Sequence, residues 1–292
     1  MKRNRTGDTI RQFLKLSKLR IMIPVSLTGF TGYFIYDPRL SLKLFLVTAG
    51  ILMLAVSASV LNQIQERVTD GLMPRTHDRP LPSGRLTLTR AWLYFAICLL
   101  SGSVLLLFFG SPGAVFAGIL TIIWYNGVYT YAKRITPFAV VPGAVTGALP
   151  PLIGWLAAGG GAWDRSIVFV EFLFFIGQIP HFWMLVLKFG EEYHQAGLPS
   201  LTRVLSRSQI DRLTFTWVVT SVIAALFLCY FEIIGSVIIS AVLFIVSVYM
   251  VWRFSSLVRH PEEQRSYRTY SIHFFLYYLL LIVLLIADKA IL

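Results

Sequence analysis

Nine apolar segments, each close to the roughly 20 residues that cross a bilayer as a helix, dominate this 292-residue sequence. Hydrophobic residues make up 56% of the chain and charged residues 14%, a composition too apolar for a soluble domain of this length. No linker rich in Pro, Gly or Ser divides the chain. The sequence therefore predicts an all-α, polytopic membrane protein with a single integral-membrane domain over residues 1–292. The predicted spans are 19–36, 43–65, 90–110, 113–132, 138–158, 167–188, 213–231, 233–252 and 269–288.

The positive charges are distributed unevenly between the two sides of the predicted bundle. With the basic tail 1–18 in the cytoplasm, 22 of the 26 Lys and Arg residues fall on the inner side. Only Arg39, Lys43, Arg165 and Lys289 fall outside. The positive-inside rule then predicts a cytoplasmic N-terminus and an external C-terminus. The net charge of +12 is explained by this orientation and by contact with anionic membrane lipid, so we expect no nucleic-acid partner.

The second predicted span ends in a stripe of oxygen-bearing side chains, within the segment NQIQERVTDGLMPRTHDRPLPSG. Asn62, Glu66 and Asp70 follow one another at four-residue intervals, so each is about 6 Å further along a helix and rotated by about 40°. Arg75 and Arg79 lie in the loop that follows. Oxygen ligands suit Mg²⁺, and Mg²⁺ together with arginines suits a diphosphate. The alternative is a solvated helix end beside a basic cytoplasmic loop.

A second acidic pair, Glu191 and Glu192, follows the sixth predicted span on the same membrane side. Adjacent carboxylates point to different sides of a helix, so one of them would face the bundle. The pair is equally typical of a solvated helix end, or of a weak ion pair with Lys188. Two acidic clusters facing each other across a bundle could hold the metal ions that bridge a diphosphate.

His181 lies inside the sixth predicted span, directly after Pro180. One interpretation is a neutral histidine that is hydrogen-bonded within the bundle. The other is a group that positions a flat macrocycle, because neutral imidazole is a good axial ligand of haem iron.

The fifth predicted span contains small residues at positions that favour close helix packing, Gly143, Gly147 and Gly154. Packing is the favoured interpretation, and direct contact with a ligand is the alternative. Lys133 and Arg134 immediately precede this span, where they could form the phosphate-binding mouth of a cavity.

Four blocks of this sequence resemble the UbiA-type intramembrane prenyltransferases, and in particular their haem-farnesylating branch. They are NQIQERVTDGLMPRTHDRPLPSG, YAKRITPFAVVPGAVTGALPPLIGW, GQIPHFW and EEYHQAGLP. With the ending YRTYSIHFFLYYLL they cover roughly residues 15–290 in order. The resemblance implies a UbiA-like nine-helix bundle with a central cavity. Glu66 replaces the middle Asp of the family pattern NxxxDxxxD, and Glu192 replaces the Asp expected before Tyr193.

The resemblance implies transfer of a farnesyl group from farnesyl diphosphate to a vinyl group of haem b, with addition of water. It implies Mg²⁺ as cofactor, a bacterial inner-membrane location, and handover of the product to a haem A synthase or a terminal oxidase. Residue roles carried over in this way are metal binding by Asn62, Glu66, Asp70, Glu191 and Glu192, diphosphate binding by Arg75, Arg79, Lys133 and Arg134, and porphyrin orientation by His181. Two alternatives stay open, a related enzyme that prenylates an aromatic or quinone precursor and a membrane transporter with an ion site at its midplane.

Overall fold

The computed structural model describes residues 5–259 and 267–291, with side chains from residue 10 onward and, between 185 and 195, only those of Leu187 and Glu192. The described residues form helices and no β-strand, which confirms the predicted all-α class. The α-helices are α1 Arg5–Ser17, α2 Leu19–Tyr36, α3 Leu42–Gly71, α4 Leu88–Phe109, α5 Pro112–Ile123, α6 Thr130–Ile135, α7 Val140–Ala158, α8 Arg165–Gln195, α9 Arg207–Tyr230, α10 Val237–Arg259 and α11 Tyr267–Ile291.

Helices α5 and α6 are joined by a π-helical turn, Trp124–Tyr129, so that Pro112–Ile135 forms one continuous span. The indole Nε1 of Trp124 donates to the carbonyl of Pro142 at 2.7 Å, which ties the start of this turn to α7. Single π-helical turns inside α-helices are frequent at functional sites.

Eight of the described helices are long and apolar enough to cross a membrane, one fewer than the nine predicted. The predicted first span, 19–36, forms α2, which is not among the eight. Helix α2 has only 18 residues and includes Arg20, Pro24 and several Thr, Ser and Gly residues, so its composition is less apolar than that of the other predicted spans. The other eight predicted spans each coincide with one of these helices.

Helices α3 and α8 continue beyond their apolar segments, as α10 also does. Helix α3 ends at Gly71 and α8 at Gln195, whereas the predicted spans ended at residues 65 and 188. The extra turns carry both acidic motifs, so these carboxylates are positioned by helical backbone and not by the loops.

The predicted N-terminal tail is also helical over most of its described length. Leu16 of α1 is fully buried in an apolar cluster with residues of α3 and α4. The hydroxyl groups of Ser17 and Tyr94 are hydrogen-bonded at 2.7 Å, and Gln63 Nε2 donates to the carbonyl of Leu16 at 2.5 Å. Helix α1 therefore docks on the C-terminal half of α3 and on α4.

Helices α2 and α7 pack with their backbones in contact. A methyl group at Gly32 would overlap the backbone of Pro151, and one at Gly154 would overlap the carbonyl of Gly29. Small residues allow this close approach between membrane helices, as the packing interpretation of Gly154 predicted.

Candidate active site

The first carboxylate of the acidic stripe is held between α3 and α6. Glu66 is 8% exposed and forms an ion pair with Lys133, whose ammonium group also lies 5.6 Å from the centre of the Tyr129 ring. One turn earlier on α3, the amide Nδ2 of Asn62 donates to the hydroxyl of Thr130 at 3.1 Å. The π-helical turn and α6 therefore supply the wall opposite the acidic stripe.

The loop after α3 folds back over the last turn of that helix. Arg79 donates to Asp70 at 2.5 Å, and Asp70 is only 1% exposed. The hydroxyl of Thr76 donates to the backbone carbonyl of Asp70 at 2.8 Å, which fixes the path of the loop. Arg85, in the same loop, pairs instead with the exposed Asp78.

The second acidic motif joins this group through Arg75. The Nε atom of Arg75 lies 3.9 Å from Oε2 of Glu192 in α8. That oxygen is buried and has no hydrogen-bond partner among the described atoms. The loop after α3 therefore reaches the C-terminal part of α8, and it links the two acidic motifs in one site. The side chain of Glu191 lies outside the described residues.

Arg134 lies at the edge of the site. Its Nη2 atom donates to the backbone carbonyl of Gln65 at 3.1 Å, and its guanidinium group stacks 5.3 Å from the Tyr131 ring. Of the four predicted diphosphate-binding cations, Arg75, Arg79 and Lys133 pair with carboxylates of the two motifs, whereas Arg134 contacts the backbone beside them.

Lys18 is a further cation of this site, which the sequence reasoning treated only as part of a basic tail. It caps the start of α2 with a left-handed backbone, φ 47° and ψ 43°, a region that residues with a side chain rarely adopt. Burial lowers the pKa of Lys18 to about 7; nearby Arg79 adds to this effect, while Glu66 and Asp70 oppose it. The signal available in the sequence was the position of Lys18, immediately before the first predicted span.

Aromatic rings lie next to the Glu66–Lys133 pair. Tyr125 and Tyr129, both in the π-helical turn, are stacked with ring centres 5.5 Å apart, and Tyr129 also lies 6.2 Å from the ring of Phe182 in α8. Gly143 leaves room for these rings, because a methyl group there would lie 2.7 Å from the Tyr129 ring. Gly147 packs equally closely against Gln178. These two glycines therefore also serve packing.

His181 lies deeper in the bundle than the acidic groups. It precedes Glu192 by 11 residues on the same helix, which corresponds to about 16 Å of rise and just over three complete turns. The two residues therefore share one face of α8. The ring of His181 contacts that of Phe182 with centres 6.0 Å apart, and no contact joins it to the carboxylates within the described part of the chain. The structure thus separates His181 from the acidic site along the helix axis.

The oxygen donors of this site fit a magnesium ion that is shared with a substrate. Among the described side chains, no group of three His, Cys, Asp or Glu residues is arranged to hold a metal ion by itself. Glu66, Asp70 and Glu192 are instead each matched with a cation. Mg²⁺ is usually bound by one or two carboxylates plus substrate phosphates and water, so a closed protein cage is not required. Oε2 of Glu192 accepts no hydrogen bond among the described atoms, so it is one oxygen available for such a bond.

Comparison with known sequences places this arrangement in a family. A model of the UbiA prenyltransferase family matches residues 25–280. The protoheme IX farnesyltransferase of Geobacter sulfurreducens is 38% identical over 192 residues, which are 66% of this chain and 71% of that protein. The protein of the same name from Oleidesulfovibrio alaskensis is 35% identical over 226 residues, 77% of this chain and 80% of that one.

Solved structures share the fold at lower sequence identity. A digeranylgeranylglyceryl phosphate synthase has a TM-score of 0.78 at 19% identity, with 97% of this chain and 99% of that chain covered. A UbiA homologue from Archaeoglobus fulgidus bound to DMAPP and Mg²⁺ has a TM-score of 0.70 at 17% identity, with 96% and 100% covered.

Proposed function

The chain belongs to the UbiA prenyltransferase family, and from that premise we propose that it transfers a farnesyl group from farnesyl diphosphate to a vinyl group of haem b. The protein is an integral membrane prenyltransferase. Its relatives at 33–38% identity are protoheme IX farnesyltransferases, which favours haem over an aromatic or quinone precursor as acceptor.

One observation carries the proposal, the contact between Arg75 and Glu192 that brings the two acidic helix ends into one site. Farnesyl diphosphate needs carboxylates and cations together, because its head group binds Mg²⁺ and guanidinium groups through the same oxygens. A transporter with an ion site at the midplane would need buried charges deep in several spans. The charges of this site lie instead at the inner ends of α3 and α8.

Magnesium would be held by Asn62, Glu66 and Asp70 on one side and by Glu192 on the other, with Glu191 as a further donor. When bound, Mg²⁺ neutralises the diphosphate and stabilises negative charge on it as the bond to carbon breaks. The protein contributes the placement of these oxygens on two rigid helices.

The cations of the site would stabilise the departing diphosphate. Lys133 and Arg79 are already held in place by Glu66 and Asp70, and Arg75 lies near Glu192, so little reorganisation is needed when phosphate oxygens take over as their partners. Lys18 and Arg134, which lie near this set, would add positive charge beside the head group.

The prenyl chain and the porphyrin would lie deeper in the bundle. Tyr125, Tyr129 and Phe182 adjoin the Glu66–Lys133 pair, where their ring faces would stabilise an allylic cation. His181, about 16 Å deeper on the face of α8 that carries Glu192, would orient the porphyrin through its iron or a hydrogen bond. We place the enzyme in the bacterial inner membrane with the diphosphate site on the cytoplasmic side, from which product would pass to a haem A synthase or a terminal oxidase.

Reconstitution tests the proposed reaction directly. Purified protein is incubated with farnesyl diphosphate, haem b and Mg²⁺, and the pigment is analysed by mass. We expect haem that has gained a farnesyl group and one water, and no such product when EDTA replaces Mg²⁺. Prenylation of an aromatic or quinone precursor alone would contradict the haem assignment. Substrate uptake by vesicles without release of diphosphate would contradict the enzymatic assignment.

A further inference from the structure

Two acceptor oxygens are buried without a donor where α3 meets the π-helical turn. Asn126 is 3% exposed, and its Nδ2 atom donates to the carbonyl of Ile122 at 3.1 Å. This bond fixes the orientation of the amide, because only the nitrogen can donate to a carbonyl. The other amide atom of Asn126, Oδ1, is buried and has no hydrogen-bond partner among the described atoms.

Gln65 presents the second oxygen. Its Nε2 atom donates to the backbone carbonyl of Asn126 at 3.1 Å, which joins the Gln65 side chain to the backbone of the π-helical turn. Its Oε1 atom is also buried and lacks a partner within the described chain. Leaving a buried acceptor unpaired costs stability, and such pairs of polar groups in native proteins are usually satisfied by an ordered water molecule.

Two unpaired acceptors specify the chemistry of their ligand. The ligand must donate two hydrogen bonds and be small, and a water molecule meets both requirements. The backbone supports this assignment, because Asn126 occupies a π-helical turn, a distortion that is frequent at functional sites. Gln65 directly precedes Glu66 on α3, so this place adjoins the diphosphate site.

We infer that Asn126 and Gln65 bind the water molecule that adds to the carbocation formed on the haem vinyl group. This inference rests on the proposed function. The carbon–oxygen bond of farnesyl diphosphate breaks with its electron pair leaving on the diphosphate. The vinyl electron pair then forms the new carbon–carbon bond, which leaves a cation on the vinyl carbon beside the porphyrin ring. A lone pair of the bound water forms the carbon–oxygen bond, and the extra proton passes to the released diphosphate.

Loss of the water site changes the product and not only the rate. A cation that meets no water loses a proton from the neighbouring carbon and gives a farnesylated haem that is lighter by one water. The ratio of this dehydrated product to the hydroxylated one is measured within one sample by mass spectrometry, so it does not depend on the amount of folded protein.

The variants Gln65→Met and Asn126→Leu each remove one acceptor oxygen. We expect the dehydrated share to rise about fivefold in each, the effect of one lost neutral hydrogen bond. Asn126→Asp keeps an acceptor and should keep the product ratio of the parent. Gln63→Met is the matched control, because Gln63 is buried on the same helix but donates to Leu16 in α1. It is expected to leave the ratio unchanged, whatever its effect on turnover.

An unchanged product ratio in Gln65→Met and in Asn126→Leu, with farnesylated haem still formed, would overturn the inference. Should Asn126→Leu fail to fold, the ratio in Gln65→Met decides alone. A parent enzyme that forms no farnesylated haem at all would instead contradict the proposed function, so the two failures are distinguishable.

Discussion

Each described carboxylate of the two acidic motifs is matched with one cation, and this pairing determines what single substitutions should do. Burying an unpaired carboxylate costs several kcal/mol, so Glu66 and Asp70 need Lys133 and Arg79 in the absence of ligand. The same carboxylates become metal ligands under the proposed function.

Asp70→Asn keeps the size of the side chain and removes its charge. We expect kcat/KM for farnesyl diphosphate to fall at least about 100-fold, because a neutral amide binds Mg²⁺ more weakly than a carboxylate does. Expression should stay near that of the parent. The matched control is Asp78→Asn in the following loop, where the carboxylate is 72% exposed and pairs with Arg85. Less than a twofold change is expected there, and parent-like activity in Asp70→Asn would contradict the metal assignment.

Lys18 is the residue for which a pH dependence is expected. Its pKa of about 7 lies below the ordinary 10.5, so we expect the side chain to lose its positive charge progressively as the pH rises through 7. A bound diphosphate favours the charged form, so binding above pH 7 requires uptake of a proton and becomes weaker as the pH rises.

To isolate the effect of Lys18, the affinity of the parent is compared with that of Lys18→Arg, whose side chain stays charged at every pH used. Between pH 6.5 and 8.5 the charged fraction of Lys18 falls about 25-fold, so the parent should lose about 25-fold in affinity for farnesyl diphosphate relative to Lys18→Arg. The ionisation of the substrate itself is common to both proteins and cancels. Parallel affinity profiles from titration calorimetry would show that Lys18 does not contact the head group.

At the scale of the elements, apolarity predicts where helices cross the membrane but not where they end. The apolar segments placed eight spans correctly, since burial in hydrocarbon requires such segments. Helices α3 and α8 continue past their apolar segments, where carboxylates that are paired with cations tolerate burial. The π-helical turn Trp124–Tyr129 has no comparable sequence signal, because it depends on packing against α3 and α7.

One buried carboxylate near the end of α11 holds the start of α10 in place. Asp288 is fully buried near the end of α11 and accepts backbone hydrogen bonds from Gly235 at 3.1 Å and from Ser236 at 2.8 Å. These donors precede the first turn of α10, so the carboxylate also interacts favourably with the dipole of that helix.

Asp288→Ala should therefore lower the free energy of unfolding by about 2 kcal/mol without changing the KM for farnesyl diphosphate. Thermal unfolding in detergent can be followed through the thiol of Cys98, which is 2% exposed in the folded protein. Asp37→Ala is the control, since its partner Arg39 is largely exposed and such pairs contribute less than about 1 kcal/mol. Equal losses in the two variants would contradict the capping role.

At the scale of the whole molecule, the site is an assembly that the sequence alone could indicate only in part. The spacing of Asn62, Glu66 and Asp70 predicted one oxygen-bearing stripe, and α3 carries all three. The contact of Arg75 with Glu192 joins segments far apart in the chain, so it follows only from the way the bundle packs. Lys18 was missed for the same reason, because its role depends on how α1 docks.

The number of helices that cross the membrane decides the orientation of the chain ends. If α2 crosses together with the eight other helices, the N-terminus and the C-terminus lie on opposite sides. If α2 stays on one face, they lie on the same side. Helix α2 packs closely along α7, with Gly32 against Pro151, and six of its residues are buried. Its moderate apolarity is then explained by contact with protein in place of lipid, and we predict that it crosses.

The side of the N-terminal tail tests this prediction in bacterial cells. If α2 crosses, two crossings separate the tail from the loop between α3 and α4, so both lie on the same side; if α2 does not cross, a single crossing separates them. A cysteine introduced as Thr6→Cys should therefore react with a membrane-impermeant thiol reagent only after the membrane is permeabilised. The internal control is Ser83→Cys in the loop between α3 and α4, which carries the arginines of the site and should behave in the same way. Labelling of Thr6→Cys in intact cells, with the control still protected, would show that α2 does not cross. The basic residues of the tail would then lie outside, against the positive-inside rule.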